Sequence, residues 1–259
     1  MNSYRRIHSP CFTIVICNMA TEVACASRNL NLLMKYTLLF SLLMIFASCG
    51  LTNESSNAES LDSQAVQVVQ KTPSELEKYA KAYFASGCFW CVEAVYESVR
   101  GVQEAVSGYA GGKHPNPTYR LIGTGTTGHS ETVAVYYDPE VVSFATLVDV
   151  YYGSQDPTTV NGQRPDFGSQ YRSIIFYQNE EEKKIAEAAK AALAASGEYD
   201  KPIATEIVSL EKFYPAEDYH QDYERLNPNN PYVRGVSVPR LKRFQKKFPE
   251  LLKEESTDF

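Results

Sequence analysis

Residues 81–86 (KAYFAS) are almost continuously apolar and stop at Gly87, which predicts a short buried strand. Directly after it, Val92, Val95, Tyr96 and Val99 recur at i, i+3, i+4 and i+7, so the spacing predicts an amphipathic helix that begins at Cys88. Residues 102–107 read as a second strand, and 108–119 (GYAGGKHPNPTY) as a Gly/Pro loop. Residues 131–137 alternate in strand fashion before the Asp138-Pro139 turn, and Ser143 is placed to cap a helix running to about Tyr152. A strand over 173–177 follows, then an Ala/Lys/Glu-rich helix over 180–196 with Asn179 as cap and Gly197 as stop. The pattern continues with a strand at 203–209, a short helix at 216–225 and a basic, exposed helix after Arg240. Strands and helices alternate through one unit without an internal repeat, which implies a mixed α/β (α+β) two-layer sandwich. Residues 153–171 are long, polar and broken by Gly and Pro, and a loop of that length in a compact domain is usually functional.

The N-terminal third reads differently. From Met34 the chain runs MKYTLLFSLLMIFASC, a short basic start, an apolar stretch from Tyr36 to Phe46, and small residues before Cys49. The stretch is shorter than the roughly 20 residues a bilayer span needs and matches the h-region of an export signal. Ala47 and Ser48 before Cys49 resemble the processing site of bacterial lipoproteins, with Cys49 as the lipidated residue, although Phe46 stands where Leu is usual. The expected organisation is therefore an upstream extension plus signal peptide over 1–48, with Met34 as the true start. A tether over 49–72, rich in Ser, Asn, Gln and Glu, leads to one globular domain over 73–259. Export to the cell envelope follows, with membrane contact only through a lipid anchor at Cys49.

Composition narrows the function classes. The 259 residues are 44% hydrophobic and 22% charged with a net charge of −6, an ordinary globular balance that offers no cationic excess for reading phosphates. No nucleic-acid partner is expected, and a monomer is. The cysteines are Cys11, Cys17, Cys25, Cys49, Cys88 and Cys91, so no thiol follows Cys91 and a dispersed disulfide framework is excluded.

Cys88 and Cys91 form a CxxC pair at a predicted helix start. Unpaired backbone N–H groups and the positive end of the helix dipole there favour thiolate over thiol, which suits Cys88 to be a nucleophile. Cys91 lies one turn on, where the separation allows a disulfide, so it could resolve a sulfenic acid on Cys88. A buried structural pair, or half of a zinc site completed by His114, His129 or His220, also fits the spacing. Phe89 and Trp90, beside a nucleophile, read as pocket walls.

Gly87-Cys88-Phe89-Trp90, GYAGG at 108–112, PNPTY at 115–119, GHSETVAVYYDP at 128–139 and DFGSQYRS at 166–173 resemble, in that order, the A-type peptide methionine sulfoxide reductases. The likeness spans residues 79–247. It implies a ferredoxin-like α/β core with a mixed sheet and extra loops. It further implies reduction of the S epimer of methionine sulfoxide, free or in oxidised proteins, by a thiol cycle. No cofactor and no metal are implied, only an external reductant of thioredoxin type. Residue by residue, Cys88 matches the family nucleophile, and Phe89 and Trp90 match the walls around the substrate S-methyl group. Glu131 matches the acid, Tyr119 and Tyr171 the oxygen-binding hydroxyls, and Asp166 a polar residue beside the pocket. With no cysteine in the C-terminal tail, Cys91 is the resolver, and His220 is read as packing beneath the site.

The residue types suit that chemistry. A sulfoxide sulfur is a poor electrophile until its oxygen is protonated, so a carboxylic acid kept protonated by burial is required, and two phenols can bind the oxygen as charge moves onto it. Two other readings use the same pair or none. A thioredoxin-like thiol-disulfide oxidoreductase also carries CxxC after a strand, but with Trp before the pair and Gly-Pro inside it. A non-enzymatic surface lipoprotein that binds a partner through its tyrosines would be indifferent to thiol alkylation.

Overall fold

A computed structural model of the protein describes residues 71–254, all within the unit that spans 63–259. The expected signal segment, most of the tether and Cys49 lie outside the described residues.

Strand β1 (Ala80–Ala85) is buried over its last four residues because both of its faces are covered. Ala82 and Phe84 enter the main core, whereas Tyr83 and Ala85 pack in a smaller cluster with Ala110, Ala134, Ile174 and Phe176. That two-sided burial explains why the segment reads as a continuous apolar run rather than an alternating one. β1 pairs antiparallel with β3 (Ser130–Tyr137) on one side and with β6 (Ile174–Tyr177) on the other. With β2 (Val102–Ala110), β7 (Glu206–Ser209) and β8 (Phe213–Pro215) they form a six-stranded sheet in the order β7-β6-β1-β3-β2-β8. Only β6 and β7 run parallel, so the sheet is mixed.

Helices cover the main-core face. They are α1 (Pro73–Leu76), α2 (Phe89–Glu97), α3 (Tyr119–Ile122), α4 (Phe144–Gly153), α5 (Glu180–Ala195), α6 (Tyr223–Leu226) and α7 (Val238–Lys247). Val92, Val95 and Tyr96 of α2, Leu147, Val148 and Tyr151 of α4, Ala186 of α5, and Leu241 and Phe244 of α7 share one cluster with β1 and β3. Phe84 stacks on Tyr96 at 4.9 Å and on Phe144 at 6.1 Å, which ties β1 to two helices. Burying each such ring contributes about 1.5–3 kcal/mol. Ser143 caps α4 by accepting from the Thr146 amide, and Asn179 caps α5 by accepting from the Glu181 and Glu182 amides. The two-layer α/β sandwich with a mixed sheet is thus the fold the alternation of elements implies.

Three segments depart from the sequence pattern. β2 runs on through Gly108-Tyr109-Ala110, which pair with Thr132, Glu131 and Ser130, so the Gly/Pro loop starts later than its composition suggests. A side chain at Gly108 would come within 2.4 Å of the Tyr214 carbonyl oxygen, and its absence is what lets β8 close against β2. The helix expected over 216–225 is instead a 3₁₀ turn at Asp218–His220 and the short α6, split by Asp222 in the left-handed region at φ 54°. The basic C-terminal helix begins before Arg240, follows a π turn at Val233–Ser237, and buries Arg240 instead of exposing it. Residues 153–171 hold a two-residue hairpin, β4 (Gly162–Gln163) with β5 (Asp166–Phe167), and a 3₁₀ turn at Ser169–Tyr171.

Candidate active site

The site is assembled where β1 turns into α2. Gly87 sits at φ +71°, a conformation L residues avoid, and a side chain there would meet Gln163 Cβ at 2.7 Å. The turn delivers Cys88 to the N-cap of α2, with its side chain buried. The Phe89 amide, one of the free donors of the first helical turn, gives its hydrogen to Glu131 Oε2 at 3.0 Å. β3 therefore presents Glu131 to the start of α2, and Glu131 is only 2% exposed. Burial pushes its carboxyl up to about 8, aided by the nearby Asp166 and Cys91 and opposed by the Phe89 hydrogen bond.

Aromatic rings enclose this corner. Phe89 stacks with Tyr119 at 6.2 Å and 11°, and His220 lies 5.0 Å from Phe89 and 4.3 Å from Tyr119. Trp90 stacks on Tyr223 at 3.7 Å and donates its indole N–H to His220 Nδ1 at 3.1 Å. His220 is buried, with its pKa lowered by desolvation, so it stands as a neutral acceptor beneath the pocket. Tyr119 enters from the start of α3, where its backbone amide donates to Glu217 Oε1, and Glu217 Oε2 accepts from the Tyr109 hydroxyl. Tyr171 arrives from the 3₁₀ turn after the β4–β5 hairpin. Burial keeps both phenols protonated, pushing Tyr119 up to about 12 and Tyr171 higher still, and each is also raised by Glu131, Cys88 and Asp166.

Asp166, on the hairpin, accepts from the Tyr232 hydroxyl at 2.5 Å, and that hydroxyl lies 3.8 Å from Cys91 Sγ. Cys91 is buried one turn into α2 beside Cys88, and neither thiol is in a disulfide. The pair divides its protons against the expectation for a helix start. Desolvation, together with a hydrogen bond to Cys91 and the Glu131 carboxyl, holds the Cys88 thiol up. Cys91 is pulled down by that hydrogen bond and by the Arg240 guanidinium. The helix amide that would have stabilised a Cys88 thiolate is already given to Glu131, and both side chains are buried.

All eight residues expected at the pocket (Cys88, Phe89, Trp90, Cys91, Tyr119, Glu131, Asp166 and Tyr171) thus converge from α2, α3, β3 and the 162–171 segment. Two of the three histidines weighed as metal ligands are hydrogen-bonded at a ring nitrogen. His129 donates from Nε2 to the His114 carbonyl and accepts the Gly112 amide at Nδ1, and His220 takes the Trp90 indole. Sequence reasoning missed Tyr232, Glu217 and Arg240, which hold Cys91, Tyr119 and the β1–α2 turn respectively. Arg240 donates to the Ser86 and Ser154 carbonyls and to Ser86 Oγ, contacts spanning 154 and 86 positions along the chain that no local pattern signals.

Comparison with known proteins decides the family. Residues 80–252 match the family model described as peptide methionine sulfoxide reductase. The chain belongs to that family. Among peptide methionine sulfoxide reductases, the chain is 44% identical over 181 residues to MsrA of Polynucleobacter asymbioticus, covering 70% of this chain and 95% of that protein. It is 48% identical over 172 residues to MsrA of Thermus thermophilus, covering 66% of this chain and 97% of that one. Of solved structures, methionine sulfoxide reductase A of Corynebacterium diphtheriae superimposes with a TM-score of 0.52 at 38% identity, over 58% of this chain and 76% of that one. Mxr1 of Saccharomyces cerevisiae in reduced form gives 0.55 at 31% identity, over 63% and 92%. The peptide methionine sulfoxide reductase family accounts for the order of motifs, and the aromatic corner around Cys88 lies wholly inside the matched residues.

Proposed function

We propose that the protein is a peptide-methionine (S)-S-oxide reductase that works by a thiol, sulfenic acid and disulfide cycle, with no resident cofactor. The observation that carries the reading is the buried Glu131 carboxyl beside the Cys88 thiol at the mouth of an aromatic cage. Phe89 and Trp90 take the S-methyl group by apolar contact. Tyr119 and Tyr171, both protonated, donate to the sulfoxide oxygen, and their bonds strengthen as negative charge gathers there. Glu131, protonated below about pH 8, gives its proton to that oxygen. The Cys88 proton passes to Cys91, along the hydrogen bond already between them, and the Cys88 thiolate attacks sulfur. The oxygen moves to Cys88, methionine leaves, and a sulfenic acid remains. Cys91 displaces the hydroxyl as water and forms the Cys88–Cys91 disulfide. An external dithiol of thioredoxin type then restores both thiols.

The family membership argues against the thioredoxin-like reading of the CxxC pair, and the cage argues against a non-enzymatic role. The deciding experiment is turnover on the two resolved epimers of a methionine sulfoxide substrate with dithiothreitol. The S epimer should be consumed and the R epimer left, and consumption of neither would refute the reading. Repair of oxidised proteins in the cell envelope completes the proposal, supported by the export pattern over residues 34–49. Mass spectrometry of the native protein should find an N-terminus at acylated Cys49, and an unprocessed cytoplasmic chain would refute export. A monomer is proposed as the working unit.

A further inference from the structure

A cleft reaches Cys91, and Asp166 lies between it and the aromatic corner. The cleft has a volume of about 470 Å³, and its lining includes Cys91, Arg164, Arg240, Arg243 and Lys247, with Asp156 and Asp166 as its acids. The size is that of a small-molecule site, and the sign of its charge is opposite to the net −6 of the chain. The cations are also poorly compensated. Arg164 and Arg243 are exposed and have no ion-pair partner among the described residues. Arg240 is only 8% exposed, and among the described residues its hydrogen bonds go to neutral acceptors, the Ser86 and Ser154 carbonyls and Ser86 Oγ. Lys247 alone has a carboxylate, Glu198 at 3.8 Å. The Arg240 charge acts on Cys91 and on Asp166, so a buried cation stands at the cleft floor beside the thiol. Four cations face two carboxylates, Asp156 and Asp166, so the lining keeps a positive balance.

We infer that this cleft admits a second reductant besides the thioredoxin-type dithiol, a small thiol bearing carboxylates, whose anionic groups rest on Arg164 and Arg243 while its sulfur meets Cys91. The inference rests on the disulfide cycle proposed above. The incoming thiolate bonds to Cys91 Sγ, the Cys88–Cys91 bond breaks, and its electron pair goes to Cys88, which takes a proton. A second thiol of the same kind then attacks the outer sulfur of the mixed disulfide, releasing Cys91. Two reductant thiols are oxidised to one disulfide, and the enzyme disulfide is reduced to two thiols. Methionine sulfoxide uses the Cys88 face and the reductant the Cys91 face, so oxidised substrate and reductant need not compete for one opening.

The test uses the full chain oxidised to its disulfide with diamide, and follows the appearance of enzyme thiols. Mercaptosuccinate, with two carboxylates, is compared with neutral 2-mercaptoethanol, each rate divided by its thiolate fraction. At low salt the dianion should react roughly tenfold faster, an advantage that salt erodes. Arg243→Glu should cut the mercaptosuccinate rate several-fold and leave the 2-mercaptoethanol rate in place, Arg243→Lys should restore it, and Arg164→Glu should repeat the loss. Equal rates for the two thiols, or an Arg243→Glu effect shared by both, would overturn the inference. Methionine release is measured alongside, because its absence would strike the reductase reading, whereas charge-blind reduction of the disulfide strikes only the cleft.

Discussion

Helix α2 separates two buried carboxyls that look alike by exposure. Glu131 faces the start of the helix from β3, Glu93 lies one turn along the helix itself, and each is 2% exposed. Desolvation raises both. Their surroundings differ. Glu93 is fully occupied, accepting from Ser107 Oγ at one oxygen and from the Asp222 amide at the other, and so fastens α2 to β2 and to the turn that carries His220. Glu131 accepts one hydrogen bond, at Oε2 from Phe89, and looks toward Cys88, Tyr119 and Tyr171. A raised carboxyl is therefore not enough to mark an acid catalyst. What matters is whether an oxygen remains uncommitted and points at the place where charge develops.

The largest effect should come from the thiols. Cys88→Ser should release no methionine with any donor. Cys91→Ser, which also loses the acceptor of the Cys88 proton, should release one methionine per enzyme more slowly and then stall with thioredoxin, while dithiothreitol, attacking the sulfenic acid directly, keeps it turning over. Dimedone trapping detects the intermediate, and undiminished thioredoxin-driven turnover by Cys91→Ser would show that another thiol resolves it.

Next in size, Glu131→Gln should slow single-turnover methionine release by about 10²–10⁴, the range of general acid catalysis. The wild-type rate should fall as pH rises through about 8, where Glu131 loses its proton, and the variant should lack that limb. Glu93→Gln should keep the limb, which is the sharpest contrast between the two carboxyls. Removal of one oxygen-binding donor, in Tyr119→Phe or Tyr171→Phe, should lower the first-step rate by about 10²–10³ with the pH limb retained.

The smallest effect should fall on stability. Glu93 has a folded pKa raised above its ordinary 4.5, so the unfolded chain gives up that proton first as pH rises. Its contribution is complete below 4.5 and is lost upward toward the raised value. Glu93→Gln should flatten that fall in Tm. Ser107→Ala, which strips Glu93 of one donor, should cost about 1–3 kcal/mol at any pH where the carboxyl is buried. A Glu93→Gln profile as steep as wild type would place the sensitivity at Glu131 or Glu97 instead, since burial also raises Glu97 to about 8.

Much of this is legible in the sequence alone. The 3.6 period after Gly87 placed Cys88 at a helix start, the caps at Ser143 and Asn179 were local, and the ordered motifs pointed to Glu131, Tyr119 and Tyr171. Those features are short-range: a cap joins residues two or three apart, and a period is set by the geometry of one element. Position 131 alone says little, since a glutamate on a strand is usually solvated, and no local rule signals its burial.

The protonation of the dithiol was not legible, because it depends on partners distant in sequence. Glu131 claims the Phe89 amide across 42 positions, Tyr232 reaches Cys91 across 141, and Arg240 reaches Ser86 across 154. For the same reason the break at Asp222, held open by its amide's bond to Glu93, and the burial of Arg240 overrode helical patterns that looked continuous. By itself the sequence determined which elements form, which thiols exist and which family chemistry they match, since all of these rest on neighbouring residues. Only the tertiary structure decided which carboxyl is free to act, which cysteine holds its proton and which face of the dithiol is cationic, because burial and electrostatics are properties of the packed surroundings.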